Sequence, residues 1–182
     1  MSLTCGRLPR TSGILIVTGE SMNIWTTTEW TKKQNIPWQD VRTGLRLRFD
    51  KEVHKEVKQS CKDFAYWLRS EYYFPMRVPV YVKSAVRLKC IDGDYACGTF
   101  FGPYDHKLEP YIRIATGDYL VLCEKWGEDN ARIEILKSIA HELSHYFQWV
   151  NQLQLTEIGE ERQAKKYARL IIDQYLETRK CL

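Results

Sequence analysis

Two histidines and a glutamate stand close together in the segment His141-Glu142-Leu143-Ser144-His145. If this segment is helical, the two imidazoles lie four residues apart, one above the other on the same face of the helix. Both rings can then bind a single zinc ion, and the Glu142 carboxylate can reach a water on the metal. The spacing therefore predicts a catalytic metal centre with His141 and His145 as ligands.

The residues around this motif favour the helix that it requires. From 138 to 150 the chain has no proline, no glycine and no charged residue other than Glu142. A mostly apolar helix would bury two imidazoles and a carboxylate, and burying such groups without partners is costly. A bound metal relieves that cost, so we interpret the motif as a zinc site rather than as a chance pattern.

A catalytic zinc ion takes three protein ligands and leaves one position open for water. Three acidic residues at the start of the next predicted helix are candidates for the third ligand: Glu157, Glu160 and Glu161. On a helical wheel Glu157 lies over the middle of the apolar stripe, and the other two flank it on opposite sides. Acidic residues also favour the positive end of a helix without any metal. Periodicity alone therefore does not choose among them.

Two helices that would carry these groups are predicted at the end of the chain. The first runs from about 131 to 150, with Asp129 or Asn130 as its N-cap. The second runs from about 156 to 179. One face of the second helix is apolar and is predicted to be buried. Its residues are Ala164, Tyr167, Ala168, Ile171, Ile172 and Tyr175.

A further helix and a small sheet are predicted upstream. Leu45–Phe49 alternates apolar and basic residues, as a half-exposed strand does. Apolar residues at helical spacing from 51 to 73 predict an amphipathic helix, which Pro75 ends. Short β-branched or aromatic runs follow at 78–82, 86–91, 95–101 and 111–115, with 119–123 as a further candidate strand. They predict a small, twisted, mostly antiparallel sheet, and the order of elements is that of an α+β protein.

The length of 182 residues fits one domain with a hydrophobic core of its own. We expect that domain to span residues 22–182. Residues 1–21 precede a possible alternative start at Met22, and we expect them to be a poorly ordered extension. A composition of 44% hydrophobic and 27% charged residues is that of an ordinary globular protein, which argues against wholesale disorder.

Charge and hydropathy limit the possible partners and location. The net charge of +4 is mild, and the basic residues are spread along the chain among acidic ones, so nucleic-acid binding is not expected. No apolar run approaches transmembrane length, and Ile14–Val17 is too short for the core of a signal peptide. We therefore expect a cytoplasmic protein without a membrane partner, monomeric, with its six cysteines as reduced thiols.

The chain resembles the gluzincin-type zinc metallopeptidases, and in particular their small single-domain members. In that clan a His-Glu-x-x-His helix is followed by a helix with a Glu-x-x-Ala or Glu-x-x-Ser pattern. Glu161-Arg162-Gln163-Ala164 matches this pattern, and Tyr167-Ala168 extends it. The resemblance covers roughly residues 77–176.

The sequence departs from the clan at two points. The gap between His145 and Glu161 is shorter than in the larger gluzincins. In addition, Lys165 stands where an Asp or Asn often supports a histidine ligand. The group that would orient His141 is therefore not predicted, although such groups affect metal affinity.

The resemblance implies a zincin-like fold, a Zn²⁺ cofactor with Glu161 as third ligand, and hydrolysis of peptide bonds in a protein or peptide substrate. Glu142 would act as the general base and later deliver the proton to the leaving nitrogen. Tyr167 and Tyr175 on the last helix are candidates for stabilising the tetrahedral intermediate. The strand at 111–115 would be an edge strand that pairs with an extended substrate.

Two other interpretations remain open. One is a latent or inactive zincin-fold protein that binds zinc and has a regulatory or binding role, with Cys181 near the chain end able to take the open zinc position. The other is a peptidase that acts at DNA, which the even distribution of basic residues does not favour. The remaining histidines, His54 and His106, are expected at the surface, although a loop histidine in place of Glu161 is a further alternative.

Overall fold

The computed structural model describes residues 23–27, 42–90, 93–105 and 108–180. The expected extension at 1–21, Met22, His106 and Cys181 lie outside the described residues. The described part contains six strands and four helices. They are β1 (Leu45–Phe49), α1 (Lys55–Glu71), β2 (Val78–Lys83), β3 (Leu88–Lys89), β4 (Tyr95–Ala96), β5 (Gly98–Phe101), β6 (Tyr111–Ala115), α2 (Tyr119–Trp126), α3 (Glu128–Val150) and α4 (Glu157–Lys180). The predicted combination of helices with a small sheet is confirmed.

The main sheet has four strands in the order β1-β2-β6-β5, and β3 and β4 form a separate two-stranded hairpin. Strand β1 is parallel to β2, and β2 is parallel to β6; only β5 and β6 are antiparallel within the main sheet. The prediction of a mostly antiparallel sheet is therefore wrong. Helix α1 carries the chain back across the sheet between β1 and β2, and such a crossover makes its two strands parallel.

Strand β6 lies inside the sheet, between β2 and β5. The prediction that residues 111–115 form an edge strand is therefore wrong. Strand β5 takes the edge position, with β6 on one side and α3 packed nearby. Any extended chain that adds to this side of the sheet would meet β5 rather than β6.

Two local predictions near the motif helix are corrected. Residues 119–123, the further candidate strand, form the first part of helix α2. Helix α3 begins at Glu128, and neither Asp129 nor Asn130 is its N-cap. Gly127 occupies that position with a φ of +82°, a conformation that glycine adopts without strain. Gly127 is thus both the C-cap of α2 and the N-cap of α3.

The core lies between the sheet and helices α1, α3 and α4. The predicted apolar face of α4 is buried throughout, as expected. On α3, the buried Tyr146 hydroxyl donates to the Met76 carbonyl at 2.7 Å and accepts from the Met76 amide at 3.2 Å. These two bonds fix α3 against the start of β2, which positions the motif helix relative to the sheet.

A short segment far from the motif in sequence packs behind it. Trp25 is fully buried, and its indole N–H donates to the Ser144 hydroxyl inside the motif at 3.2 Å. Asn151 at the end of α3 donates to the Ile24 carbonyl at 2.9 Å. The segment 23–27 therefore supports the motif helix from the core side, a contact that periodicity did not predict.

Cysteines and hydropathy give two further observations. The four cysteines within the described residues, Cys61, Cys90, Cys97 and Cys123, carry free thiols. In the same part of the chain, none of the helices combines the length and the apolar character that a membrane span requires.

Candidate metal centre

His141 and His145 lie on one face of α3, as their spacing predicts. Their Nε2 atoms face each other at 3.2 Å, and the two rings meet edge to face with centroids 4.9 Å apart. Two unprotonated ring nitrogens this close would repel, because both present lone pairs. A cation between them converts that repulsion into attraction.

The third group comes from α4. The Oε1 atom of Glu161 lies 3.1 Å from the Nε2 of His145, and its Oε2 atom lies 3.6 Å from the Nε2 of His141. Of the three acidic candidates, Glu161 is the one that joins both histidines in a group able to hold a metal. Glu157 is exposed in the first turn of α4, and Glu160 lines the same cleft without joining this group.

The spacing of these atoms can be compared with zinc geometry. Zinc–nitrogen and zinc–oxygen bonds of about 2.0–2.1 Å at tetrahedral angles separate neighbouring ligand atoms by about 3.3 Å. The separations here are 3.2 Å between the two histidines, 3.1 Å from His145 to Glu161 and 3.6 Å from His141 to Glu161. Oε1 of Glu161 makes the contact with His145 and Oε2 the contact with His141, and the three side chains together form a group able to hold one metal ion.

Gln148 sets the protonation of His145. Its Oε1 lies 2.8 Å from the Nδ1 of His145. Its Nε2 donates to the Glu160 carbonyl at 2.9 Å and to Gln163 Oε1 at 3.0 Å, which fixes the orientation of the amide. The carbonyl oxygen of Gln148 accepts, so the Nδ1 of His145 carries a proton, and in the neutral ring Nε2 then has the lone pair that a metal requires.

Sequence reasoning missed Gln148. The signal was its position three residues after His145, which places it on the same face of the helix. A buried glutamine there, only 4% exposed, requires hydrogen-bond partners. Within the described part of the chain, His141 has no comparable side-chain partner at its Nδ1. Burial, followed by the neighbouring His145, lowers the pKa of His141 and so favours the neutral ring that a metal requires.

Glu142 is buried between α3 and β5, with only 7% of its surface exposed. Burial is the main cause that raises the pKa of its carboxyl to about 8, and the negative charge of Glu161 adds to it. A hydrogen bond from the backbone of Phe100 acts in the opposite direction. A carboxyl with a raised pKa in a cleft beside metal ligands is suited to accept a proton near neutral pH.

Gly98 on β5 makes this position of Glu142 possible. A Cβ atom at residue 98 would lie 2.6 Å from Oε1 of Glu142 and 2.9 Å from its Cγ. Any larger residue would therefore push the carboxylate away. Sequence reasoning did not identify Gly98, because its role depends on a contact with a residue 44 positions later in the chain.

The backbone of β5 presents polar groups to the cleft. The Ala115 amide donates to the Cys97 carbonyl, so Cys97 and, two residues on, Thr99 direct their backbone groups toward β6. Backbone N–H and C=O groups alternate in direction along a strand, so those of Gly98 and Phe100 point away from β6. The hydrogen bond from Phe100 to Glu142 agrees with this pattern.

The cleft is a cavity of about 830 Å³ between β5, α3 and α4. His141, Glu142, His145 and Glu161 all line it. A second cavity of about 450 Å³ adjoins it at His145 and is lined mainly by aromatic, aliphatic and amide side chains. His145 therefore lies where the two open spaces meet.

The structure does not bring the predicted tyrosines to this cleft. Tyr167 is buried in the core, and its hydroxyl accepts from the Ile24 amide at 3.4 Å. The Tyr175 hydroxyl accepts from Arg179 at 3.2 Å and lines a separate cavity. Neither lines the cleft, so both are placed away from the metal ligands. His54 lies at the surface, as expected, with its Nδ1 in contact with the Glu56 carboxylate.

Comparison with known proteins does not assign the chain to a family. A scan against models of protein families, a search of curated proteins and a search of solved structures each found no match. The function of the chain must therefore be inferred from the chemistry of its own site.

Proposed function

We propose that this protein is a zinc-dependent hydrolase of peptide bonds, similar to the gluzincin-type metallopeptidases, which acts on a protein or peptide. The observation that supports the proposal best is the group formed by His141, His145 and Glu161. One possible ligand atom from each of the three lies within 4.8 Å of the other two, and the buried carboxyl of Glu142 lies on the neighbouring face of the same helix. Two imidazoles and one carboxylate with an open fourth position form the ligand set of hydrolytic zinc sites.

A zinc ion held by these residues would supply an acidified water and would polarise the scissile carbonyl. Glu142 accepts the proton of the attacking water at its carboxylate and then donates it to the departing amine. Its burial suits this exchange, because a carboxyl whose pKa is raised from 4.5 toward neutral pH can both take up and release a proton there. The Phe100 backbone orients the carboxylate, and Gly98 leaves room for it.

We assign the substrate to the outer side of β5. The backbone groups of Gly98 and Phe100 point away from β6, so an extended peptide can add to this edge as a further strand. Such pairing would lay a scissile bond along the cleft beside Glu142. The role first assigned to residues 111–115 is therefore transferred to β5.

The decisive experiment compares metal content and peptide cleavage in the wild type, Glu142→Gln and His141→Ala. We expect about one zinc per chain in the wild type and in Glu142→Gln, cleavage by the wild type only, and loss of both in His141→Ala. Zinc binding without cleavage by the wild type would instead support a latent or inactive zinc protein. A Glu142→Gln variant that cleaves as fast as the wild type would contradict the proposed mechanism.

A further inference from the structure

We infer that the cleft selects a substrate with an anionic side chain, aspartate or glutamate, on one side of the scissile bond, and that Arg169 is the main determinant of this preference. The inference rests on the proposed function and specifies its substrate class. It arises from the unequal distribution of charge along the cleft, in which the basic side chains all lie on one side of the metal ligands.

The two helices that form the cleft are antiparallel. Gln148, near the end of α3, donates a hydrogen bond to Gln163, near the start of α4. At the other end of the pair, Leu136 in the first half of α3 and Tyr175 in the last part of α4 line one cavity together. His141, His145 and Glu161 lie closer to the first of these ends. The cleft therefore continues from the metal ligands toward the N-terminal half of α3 and the middle of α4.

Three basic side chains line this continuation: Lys137 on α3, and Lys165 and Arg169 on α4. Lys165 and Arg169 follow Glu161 at intervals of one helical turn, so they lie on the same side of α4 as the proposed ligand. Besides the groups at the metal centre, Glu134 is the acidic residue that lines this part of the cleft.

The three basic side chains differ in whether a nearby acidic group neutralises their charge. Lys137 pairs with Glu134 at 3.2 Å. The Nζ atom of Lys165 lies 3.7 Å from Oε2 of Glu161, a carboxylate that a bound metal would also claim. Arg169, by contrast, forms no ion pair with any acidic side chain among the described residues. Its guanidinium is the group most available to a carboxylate that enters the cleft, and its planar fork suits such a partner.

The cavity on the other side of His145 lacks this charge. Its lining includes Phe100, Trp149, three glutamines and one acidic residue, Glu160, and none of its described lining residues is Lys or Arg. A substrate that extends to both cavities would therefore meet a cationic environment on one side of the metal ligands only. This asymmetry predicts a preference at one side of the scissile bond rather than a general attraction to acidic peptides.

The test uses short uncharged peptides in which a single Glu, or a matched Gln, is placed in turn at each position around one cleavable bond. Binding is measured by fluorescence anisotropy on zinc-loaded Glu142→Gln, and kcat/KM on the zinc-loaded wild type. We expect Glu to be preferred at one position by about two- to fivefold, because one partly exposed charge pair contributes up to about a factor of five. The preference should weaken at high salt.

Substitution identifies the residue responsible. Arg169→Gln should remove the preference for Glu, and Arg169→Glu should reverse it in favour of Lys. Lys166→Gln is the matched control, because Lys166 is exposed on the same helix and does not line the cleft. Equal binding of Glu and Gln peptides at every position, or a preference that survives Arg169→Gln, would overturn the inference.

The outcomes also separate this inference from the proposed function. Selective binding of Glu peptides without cleavage by the wild type would reject hydrolysis and leave the specificity in place. Cleavage of Glu and Gln peptides at equal rates would support hydrolysis and reject the specificity.

Discussion

At the scale of single residues, His145 depends on a partner outside the motif. Gln148 accepts from its Nδ1 and is itself held by Glu160 and Gln163. Gln148→Leu keeps the approximate volume and removes the acceptor, so the ring can take the wrong tautomer. We expect the affinity for zinc to fall by about 10- to 100-fold, as is typical when a partner of a ligating histidine is lost. Competition with a chromophoric chelator measures this.

The control for that variant is Gln59→Leu, because Gln59 is an exposed glutamine on α1, remote from the cleft. Thermal melts at saturating zinc separate a loss of affinity from a loss of fold. If Gln148→Leu binds zinc as tightly as the wild type, the proton on His145 does not depend on Gln148.

A second prediction at this scale concerns Gly98. In Gly98→Ala the new methyl group would meet the Glu142 carboxylate at 2.6 Å, so the side chain must move. We expect kcat to fall by about 100-fold, because displacement of a catalytic group by about 1 Å has effects of that size. Zinc content should stay unchanged, since the three atoms nearest to the added methyl group all belong to Glu142. Peptide-cleavage rates test the expected fall in kcat, and elemental analysis tests the zinc content. Undiminished cleavage would show that Glu142 tolerates the shift.

The sequence predicted part of this site and missed the rest for a physical reason. His141, Glu142 and His145 were predictable because their chemistry depends on a local helical spacing. The preference for Glu161 came from the resemblance to the gluzincins, because helical periodicity treated three glutamates alike. Gln148 and Gly98 act through contacts between elements, and no local pattern carries those contacts.

At the scale of elements, the helices were predicted more accurately than the sheet. The apolar stripes of α1 and α4 repeat at helical spacing, so their existence follows from the sequence. Strand direction depends instead on how distant segments meet, and therefore the parallel pairs β1-β2 and β2-β6 were not foreseen. The short apolar run at 119–123 fits a strand or a helix equally well, and its connection to α3 through Gly127 decides the matter.

The position of β5 leads to a prediction about the substrate backbone. If an extended peptide pairs with this edge, alternate amides of the peptide bond to Gly98 and Phe100 while the others face away. N-methylation of one alternate amide, remote from the scissile bond, should lower kcat/KM by about fivefold, because one hydrogen bond contributes about 1 kcal/mol. Methylation of the next amide should have little effect. Equal sensitivity of both sets would contradict strand pairing at β5.

At the scale of the whole molecule, burial of Glu142 links stability to pH. Its carboxyl has an ordinary pKa of 4.5 when unfolded and one of about 8 in the metal-free fold. Between these two pH values the folded state holds a proton that the unfolded state has released. The stability that this proton contributes is complete below about pH 4.5 and is lost as the pH rises through 8. The variant Glu142→Gln has no carboxyl at this position, so its stability does not fall with pH for this reason.

We therefore expect metal-free Glu142→Gln to melt at a higher temperature than the metal-free wild type, by an amount that grows from pH 5 to pH 8. The corresponding free energy is on the order of a few kcal/mol at the upper end. Zinc should reduce the difference, since a nearby cation lowers the pKa of the carboxyl. Calorimetry at several pH values checks this, and a difference independent of pH would rule out the proposed linkage.

The hydrogen bonds of Gln148 have a consequence for how such a chain can diverge. This one side chain bonds the imidazole of His145 and the carbonyl of Glu160, the residue before Glu161. The two halves of the ligand set are thus aligned across the helix interface, and the connection at 151–156 does not set their distance. A longer connection between the two helices is therefore compatible with an unchanged arrangement of the chelating atoms.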